Sequence, residues 1–268
     1  MVSLKDARYQ VLKNLFGPLV TDMLVPTEIV GESNIPSRGP ALLVCNHRSM
    51  MDPFIFSARS RRVVNWVMAP FVSSIPLFGW LAEQAGAISI IKSEEGKSEA
   101  LIDSMESVWR QGRLVGIFPE GMANFNEPVG PTELHDFHGT FLRAVLRARI
   151  PNLPVIPAAV YSRKEAALGE VNAAMLQIFD RTEKQFDHGG MTLIGYNEAL
   201  ILIGKPLYFD DYYAQYAHSP DRQEPAEQTE LVNGLVGTVR QSVCHLLERA
   251  AMLDAPTTPM PQPLPGRP

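Results

Sequence analysis

Cysteine is scarce in this chain. Cys45 and Cys244 are the only two, and they show neither the spacing of a metal site nor that of a disulfide framework. A reducing compartment is the simpler expectation. Surplus positive charge is missing as well: the formal net charge is −5, which argues against a nucleic-acid partner. The N-terminus lacks the basic cap, apolar stretch and small-residue cleavage site of a signal peptide. No clean apolar run of membrane-spanning length occurs either. The longest uncharged window, VVNWVMAPFVSSIPLFGWLA (63–82), has the length but holds two prolines, two serines, an asparagine and a glycine. That mixture predicts buried or interface-facing irregular structure rather than a spanning helix. No Gly-x-Ser-x-Gly elbow appears, which disfavours a serine hydrolase, and no internal repeat is visible.

What is present is ordinary globular material: 268 residues, 46% hydrophobic and 20% charged. Residues 1–26 form an N-terminal amphipathic helical segment by their spacing. Leu4, Val11, Leu12, Leu15, Phe16, Leu19 and Met23 fall on one face, Lys5, Arg8 and Lys13 on the other, with a bend expected at Gly17-Pro18. It reads as a core-packing helix or as a membrane-surface helix. Residues 27–254 alternate strand-like and helix-like stretches. ALLVC (41–45), GAISII (86–91), LVGI (114–117) and LPVIPAAVY (153–161) read as strands, and TLIGYNEALILIGKPLYF as one or two more. Helices are expected from Pro53 to about Ser60, from an N-cap at Ser93 to a stop at Gly112, over GTFLRAVLRAR, and over 227–253. The last carries an apolar face at Leu231, Leu235, Val239, Val243 and Leu246. Such alternation predicts one α/β domain with a largely parallel central sheet flanked by helices. Residues 255–268 are too proline-rich to pack and read as a disordered tail.

The stretch with chemistry in it is ALLVCNHRSMMDPF (41–54). On a helix, positions five apart are rotated by roughly 140°, so His47 and Asp52 would not meet. They meet if the chain turns between them, and strand, polar NHRS and Asp-Pro favour that turn. His47 would then stand at the carboxyl end of a strand, where open α/β sheets bind ligands. Asp52 would fix its tautomer and leave the other nitrogen free as a base. The bland alternative makes Asp52 a helix cap and His47 a turn residue.

NHRSMMDPF resembles the H-x4-D signature of the glycerolipid acyltransferase family, the lysophosphatidic acid acyltransferases and their relatives. Further blocks follow in the family's order: IPLFGWLAEQAGAISIIK (75–92), GIFPEGMANF (116–125), FHGTFLRAVLRARIPNLPVIPAAV (137–160) and LIGKPLYF (202–209). The resemblance covers about residues 27–210. It implies direct acyl transfer from acyl-CoA or acyl carrier protein to a lipid hydroxyl, with His47 as general base and Asp52 orienting it. Backbone N–H groups near that turn become candidate oxyanion donors. Substrate contacts are implied for Asn46, Arg48, Ser49, Lys92, Pro119, Glu120, Gly121 and His138. No metal or other cofactor is implied; the partners are a membrane lipid acceptor and the membrane surface. The expected place is cytoplasmic, peripheral to the membrane.

The pattern departs from the family in one respect. After Phe-Pro-Glu-Gly, phosphate-using members generally have Thr-Arg, whereas this chain has Met122-Ala123. With Lys92 where arginine is commoner, the acceptor site is less suited to a phosphomonoester. Arg48, Lys97, Arg143 or Lys164 are the cations that could compensate. His135, Asp136 and His138 lack a further ligand at metal spacing. The basic cluster ARSRRVV (58–64) reads equally as a solvated face or as a steering patch for an anionic donor.

Overall fold

The computed structural model describes residues 11, 13–14, 17–18, 21–22, 25–69, 86–89, 97–162, 164–172, 190–216 and 225–254. Most of the amphipathic segment, the 70–85 part of the uncharged window, Lys92, Ser93 and the proline-rich tail lie outside them. In chain order the elements are β1 (Thr27–Val30), β2 (Ala41–Cys45), α1 (Asp52–Arg59), β3 (Val64–Met68), β4 (Ile88–Ser89) and α2 (Lys97–Arg110). Then come β5 (Leu114–Ile117), α3 (Ala123–Asn126), α4 (Thr140–Ala148), β6 (Val155–Ser162), β7 (Glu165–Asn172), β8 (Gly190–Tyr196), β9 (Ala199–Ile203) and α5 (Ala226–Asp254).

The main sheet has the order β1-β9-β6-β2-β5-β3-β4. Its neighbours are parallel except for the antiparallel β6–β9 pair. This is the largely parallel α/β arrangement that the alternating pattern predicts. β2 lies at its centre, paired with β5 through Ala41↔Leu114 and with β6 through Leu42↔Val155. Every residue of β2 is fully buried, because a parallel strand covered on both faces needs no polar side. Leu42 and Val44 pack toward a core shared with Trp109 of α2, Phe141 of α4 and Val239 of α5. Ala41, Leu43 and Cys45 pack toward Ile55 and Phe56 of α1 and Trp66 of β3. Each fully buried aliphatic or aromatic side chain there is worth about 1.5–3 kcal/mol.

Residues 64–68 correct an expectation. They form strand β3, not irregular structure, with Val64, Asn65 and Trp66 opposite Leu114, Val115 and Gly116. The asparagine that looked like a breaker is satisfied there: its Nδ2 donates to the Leu114 carbonyl at 2.9 Å and its Oδ1 accepts from Arg113 at 3.3 Å. Gly116 is where β5 must lack a side chain. A Cβ there would stand 2.5 Å from the Trp66 ring and 2.6 Å from Val64. β1 and β7 were not foreseen, whereas β8 and β9 are the two strands where one or two were expected over 192–209; β8 forms a hairpin with β7. That hairpin is a separate antiparallel pair outside the main sheet.

Candidate active site

β2, β5 and β6 run parallel, so their carboxyl ends meet at one edge, and three short segments collect there. Asn46 follows β2 and extends its pairing with β6 by side chain. Its Nδ2 donates to the Val160 carbonyl at 2.9 Å, and its Oδ1 accepts from Val160 N–H at 2.8 Å. This reciprocal pair fixes where the next residue begins.

That residue is His47. Its Nδ1 lies 2.9 Å from Asp52 Oδ2, and the carboxylate is fully buried while the imidazole side chain is 12% exposed. The turn the sequence suggested is real. Asp52 Oδ2 also accepts from the backbone N–H groups of Arg48 (2.8 Å) and Ser49 (2.9 Å), closing the loop onto the carboxylate. Asp52 sits in the first turn of α1, with Met51 at the cap position and Pro53 behind it. An ionised carboxylate can only accept, so Nδ1 carries the proton and Nε2 keeps its lone pair. The ring is stacked on Phe118 (centroids 4.1 Å, 16°) and meets Phe125 edge-on (4.8 Å, 77°). Phe118 in turn stacks on Trp66 (4.5 Å, 4°), the ring that Gly116 admits.

The segment after β5 supplies the second wall. Gly121 turns the chain in the left-handed region at φ +60°, and its N–H donates to the Phe118 carbonyl at 3.0 Å. Glu120 is buried, and both its oxygens are in use. Oε1 accepts from His47 N–H and Oε2 from His135 N–H, each at 2.9 Å. Burial raises its pKa, opposed by those two N–H donors. The Pro119 carbonyl accepts from His138 N–H at 2.9 Å, and the exposed His138 ring passes Gly121. Glu120 therefore laces the His47–Asp52 turn, the Phe-Pro-Glu-Gly turn and the 135–138 strip together. The His135 ring is itself 2.8 Å from the Glu127 carbonyl.

The third wall is the hairpin, whose strand β7 sequence reasoning missed. Arg48 is 3% exposed and pairs in bidentate fashion with Glu165 of β7 (Nε to Oε1 2.6 Å, Nη2 to Oε2 2.8 Å). It also donates to the carbonyls of Gly130 and Val129 at 3.0 Å. Burial, the largest single influence, would lower its pKa, but the hydrogen bond to Glu165 and the negative charge of Glu165 and Asp52 together outweigh it and the group ends above its ordinary value. Ser49 Oγ donates to the Ile194 carbonyl of β8 at 2.6 Å. Tyr196 of β8 donates its hydroxyl to Asp52 Oδ1 at 2.7 Å. Only the generic turn-and-strand pattern around Tyr196 was readable; no local signal pairs it with a residue 144 positions away.

Two expectations change in this light. The backbone N–H groups of 47–49, candidates for an oxyanion hole, are committed to Glu120 and Asp52 and serve the turn itself. Arg48, a candidate compensating cation, is spent on Glu165 and two carbonyls. Lys164 is exposed beside the hairpin, and Lys92 lies outside the described residues. Met122 turns inward with Met68, Phe125 and Met191, so the residue that departs from the family's pattern joins an apolar cluster. The basic 58–64 cluster is largely engaged too: Arg61 pairs with Glu32, and the partly buried Arg62 donates to the Pro36 and Gly39 carbonyls. Among the described residues no group of three or more His, Cys, Asp or Glu could hold a metal ion.

A histidine–aspartate turn and a Phe-Pro-Glu-Gly turn at adjacent parallel strands define a class, and comparison with known proteins agrees. Residues 26–161 match the Acyltransferase family, and the chain belongs to that family. It is 31% identical over 131 residues to the lyso-ornithine lipid O-acyltransferase of Pseudomonas aeruginosa, covering 49% of this chain and 47% of that one. It is 29% identical over 103 residues to the 1-acyl-sn-glycerol-3-phosphate acyltransferase of Borreliella burgdorferi, covering 36% and 38%. The chain thus spans about half the length of the curated relatives it matches. The crystal structure of the 1-acyl-sn-glycerophosphate acyltransferase of Thermotoga maritima shares the fold, with a TM-score of 0.56 at 18% identity over 96% of this chain and 86% of that one.

Proposed function

We propose that this chain is an O-acyltransferase that moves a fatty acyl group from acyl-CoA or acyl carrier protein to a lipid hydroxyl. The observation that carries the reading is the His47–Asp52 pair at 2.9 Å, with the carboxylate fully buried and the ring held between Phe118 and Phe125. Nε2 of His47 removes the acceptor hydroxyl proton as the oxygen attacks the thioester carbonyl. The tetrahedral intermediate collapses with expulsion of the thiolate, and the imidazolium returns the proton to sulfur. A thioester is already activated, so a positioned base contributing about 10²–10⁴-fold is a sufficient protein share alongside oxyanion stabilisation. Asp52 holds the tautomer and stabilises the imidazolium. No metal or cofactor enters the step.

The acceptor is a lysolipid whose headgroup does not depend on phosphate recognition. Among the described residues, Arg48 beside His47 is paired and buried, and Met122-Ala123 brings no charge. The similarity to a lyso-ornithine lipid O-acyltransferase supports that choice, while the similarity to 1-acyl-sn-glycerol-3-phosphate acyltransferases supports lysophosphatidate as the second reading. Pro119, Glu120, Gly121 and His138 form the wall such a headgroup would approach. Among the described residues no helix is long and apolar enough to cross a membrane. A peripheral, cytoplasmic attachment to the membrane surface suits an enzyme whose acceptor is a lipid.

The test is thioester consumption by purified protein and by His47→Ala, with acyl-CoA and acyl carrier protein donors. The acceptors are lysophosphatidate, zwitterionic lysophospholipids, lyso-ornithine lipid and neutral hydroxylated lipids. We expect turnover with a non-phosphomonoester acceptor, reduced about 10³-fold in the variant. Turnover confined to lysophosphatidate would overturn the headgroup assignment. Thioesters left intact with every acceptor would make the chain a catalytically inactive lipid-binding relative.

A further inference from the structure

We propose that Tyr196 is a positioning residue that sets the proton affinity of His47 by acting through Asp52, an inference that rests on the catalytic reading above. The Asp52 carboxylate divides its work. Oδ2 serves His47 Nδ1 and the N–H groups of Arg48 and Ser49, whereas Oδ1 takes the Tyr196 hydroxyl at 2.7 Å. Asp52 is fully buried and Tyr196 nearly so. An O–H donor to a buried carboxylate forms a short, charge-assisted bond of roughly twice ordinary strength. That bond fixes the plane of the carboxylate. It also draws negative charge toward Oδ1 and away from the oxygen facing the imidazole.

The surroundings single out Tyr196 for this role. Among the described residues, His47 and Arg48 of the turn, Cys45 of β2 and Tyr196 of β8 act on Asp52 directly, with Glu120 after β5 and Glu165 of β7 acting on those groups in turn. Arg48 and Glu165 satisfy each other, and Glu120 is taken by backbone N–H groups. Tyr196 supplies the side-chain bond to the second carboxylate oxygen. Burial and the neighbouring carboxylate push its phenol well above the ordinary range, so it stays a donor at any pH where the protein works. The Ser49–Ile194 and Arg48–Glu165 bonds hold β7 and β8 against the turn, so the hydroxyl is delivered by a fixed strand.

Tyr196→Phe keeps the ring in the core and removes only the hydroxyl. With labelled histidine, the NMR titration midpoint of His47 should move to higher pH by about half a unit or more, a threefold change in proton affinity. The acid limb of the pH–rate profile should move with it. Tyr196 replaced by a monofluorinated tyrosine, a stronger donor of the same shape, should move both the other way. This second variant also serves if Tyr196→Phe folds poorly. An unchanged His47 titration in either folded variant overturns the proposal, whatever happens to the rate. Because that titration is read without turnover, its outcome is separate from the catalytic reading, which fails on its own if His47→Ala keeps full activity.

Discussion

Two clusters of charge in this molecule are built from the same residue types and do opposite jobs. On the surface between α2 and α4, Arg147 reaches Glu99 and Glu106 at 3.2 and 3.1 Å, and Asp103 as well. At the end of β2, Arg48 meets the single carboxylate Glu165 and two carbonyls, sealed from water at 4% side-chain exposure. Asp103 is 69% exposed, so the first cluster is screened and replaceable. In the second the guanidinium has no solvent to fall back on, although Glu165 itself is 21% exposed. Number of partners is therefore a poor guide to importance; burial decides what losing one of them costs.

The sharpest way to break this contrast is Asp52→Asn. An amide that places an NH2 toward the N–H groups of Arg48 and Ser49 cannot close the turn, and it no longer stabilises the imidazolium. Acyl transfer should fall by at least about 10²-fold, with a lower melting temperature. Unchanged turnover would show that the pair is only architectural. Next comes Glu165→Ala, which strands a buried guanidinium. Urea unfolding should report a loss of about 3 kcal/mol, insensitive to salt. A loss below about 1 kcal/mol would mean that the hairpin is not held by this pair.

A smaller effect concerns Glu120. Its pKa is raised above the usual 4.5 in the folded state, mainly by burial, so the folded protein binds more protons than the unfolded chain between the two values. Stability from this group is then fully present below about 4.5 and is lost as pH rises through the folded value. Wild type should lose stability relative to Glu120→Gln as pH rises from about 4.5 through the raised folded value, read by denaturant unfolding; a gain would reverse the assignment. Smallest is Arg147→Ala, expected to destabilise by about 1 kcal/mol at low salt and less at high salt. A larger, salt-independent loss would erase the distinction between the two clusters.

Much of the fold was legible because its signals are local. β2, β5, β6 and the helices Thr140–Ala148 and Ala226–Asp254 fall where periodicity put them. On the last helix Leu235, Val239 and Val243 are buried as expected, joined by Val232, Val236 and Leu247. β3 was missed because Asn65 and the prolines beyond it outweighed a five-residue apolar run, and only sheet pairing satisfies that asparagine. β7 reads as EAALGEVN, which has no apolar alternation, since its role is to bring Glu165 to Arg48 rather than to line the core.

The site divides the same way. His47, Asp52 and the Phe118–Gly121 turn were readable from sequence alone, because a strand that stops at a polar turn and restarts at Asp-Pro dictates its own geometry within a few residues. What Arg48, Ser49 and Glu120 hold, and that Tyr196 takes part at all, depended on segments 15 to 145 positions away. Hydrogen bonds of that reach leave no periodicity behind. They form only once parallel strands have brought their carboxyl ends to one edge, and burial there leaves each polar group no partner but the protein.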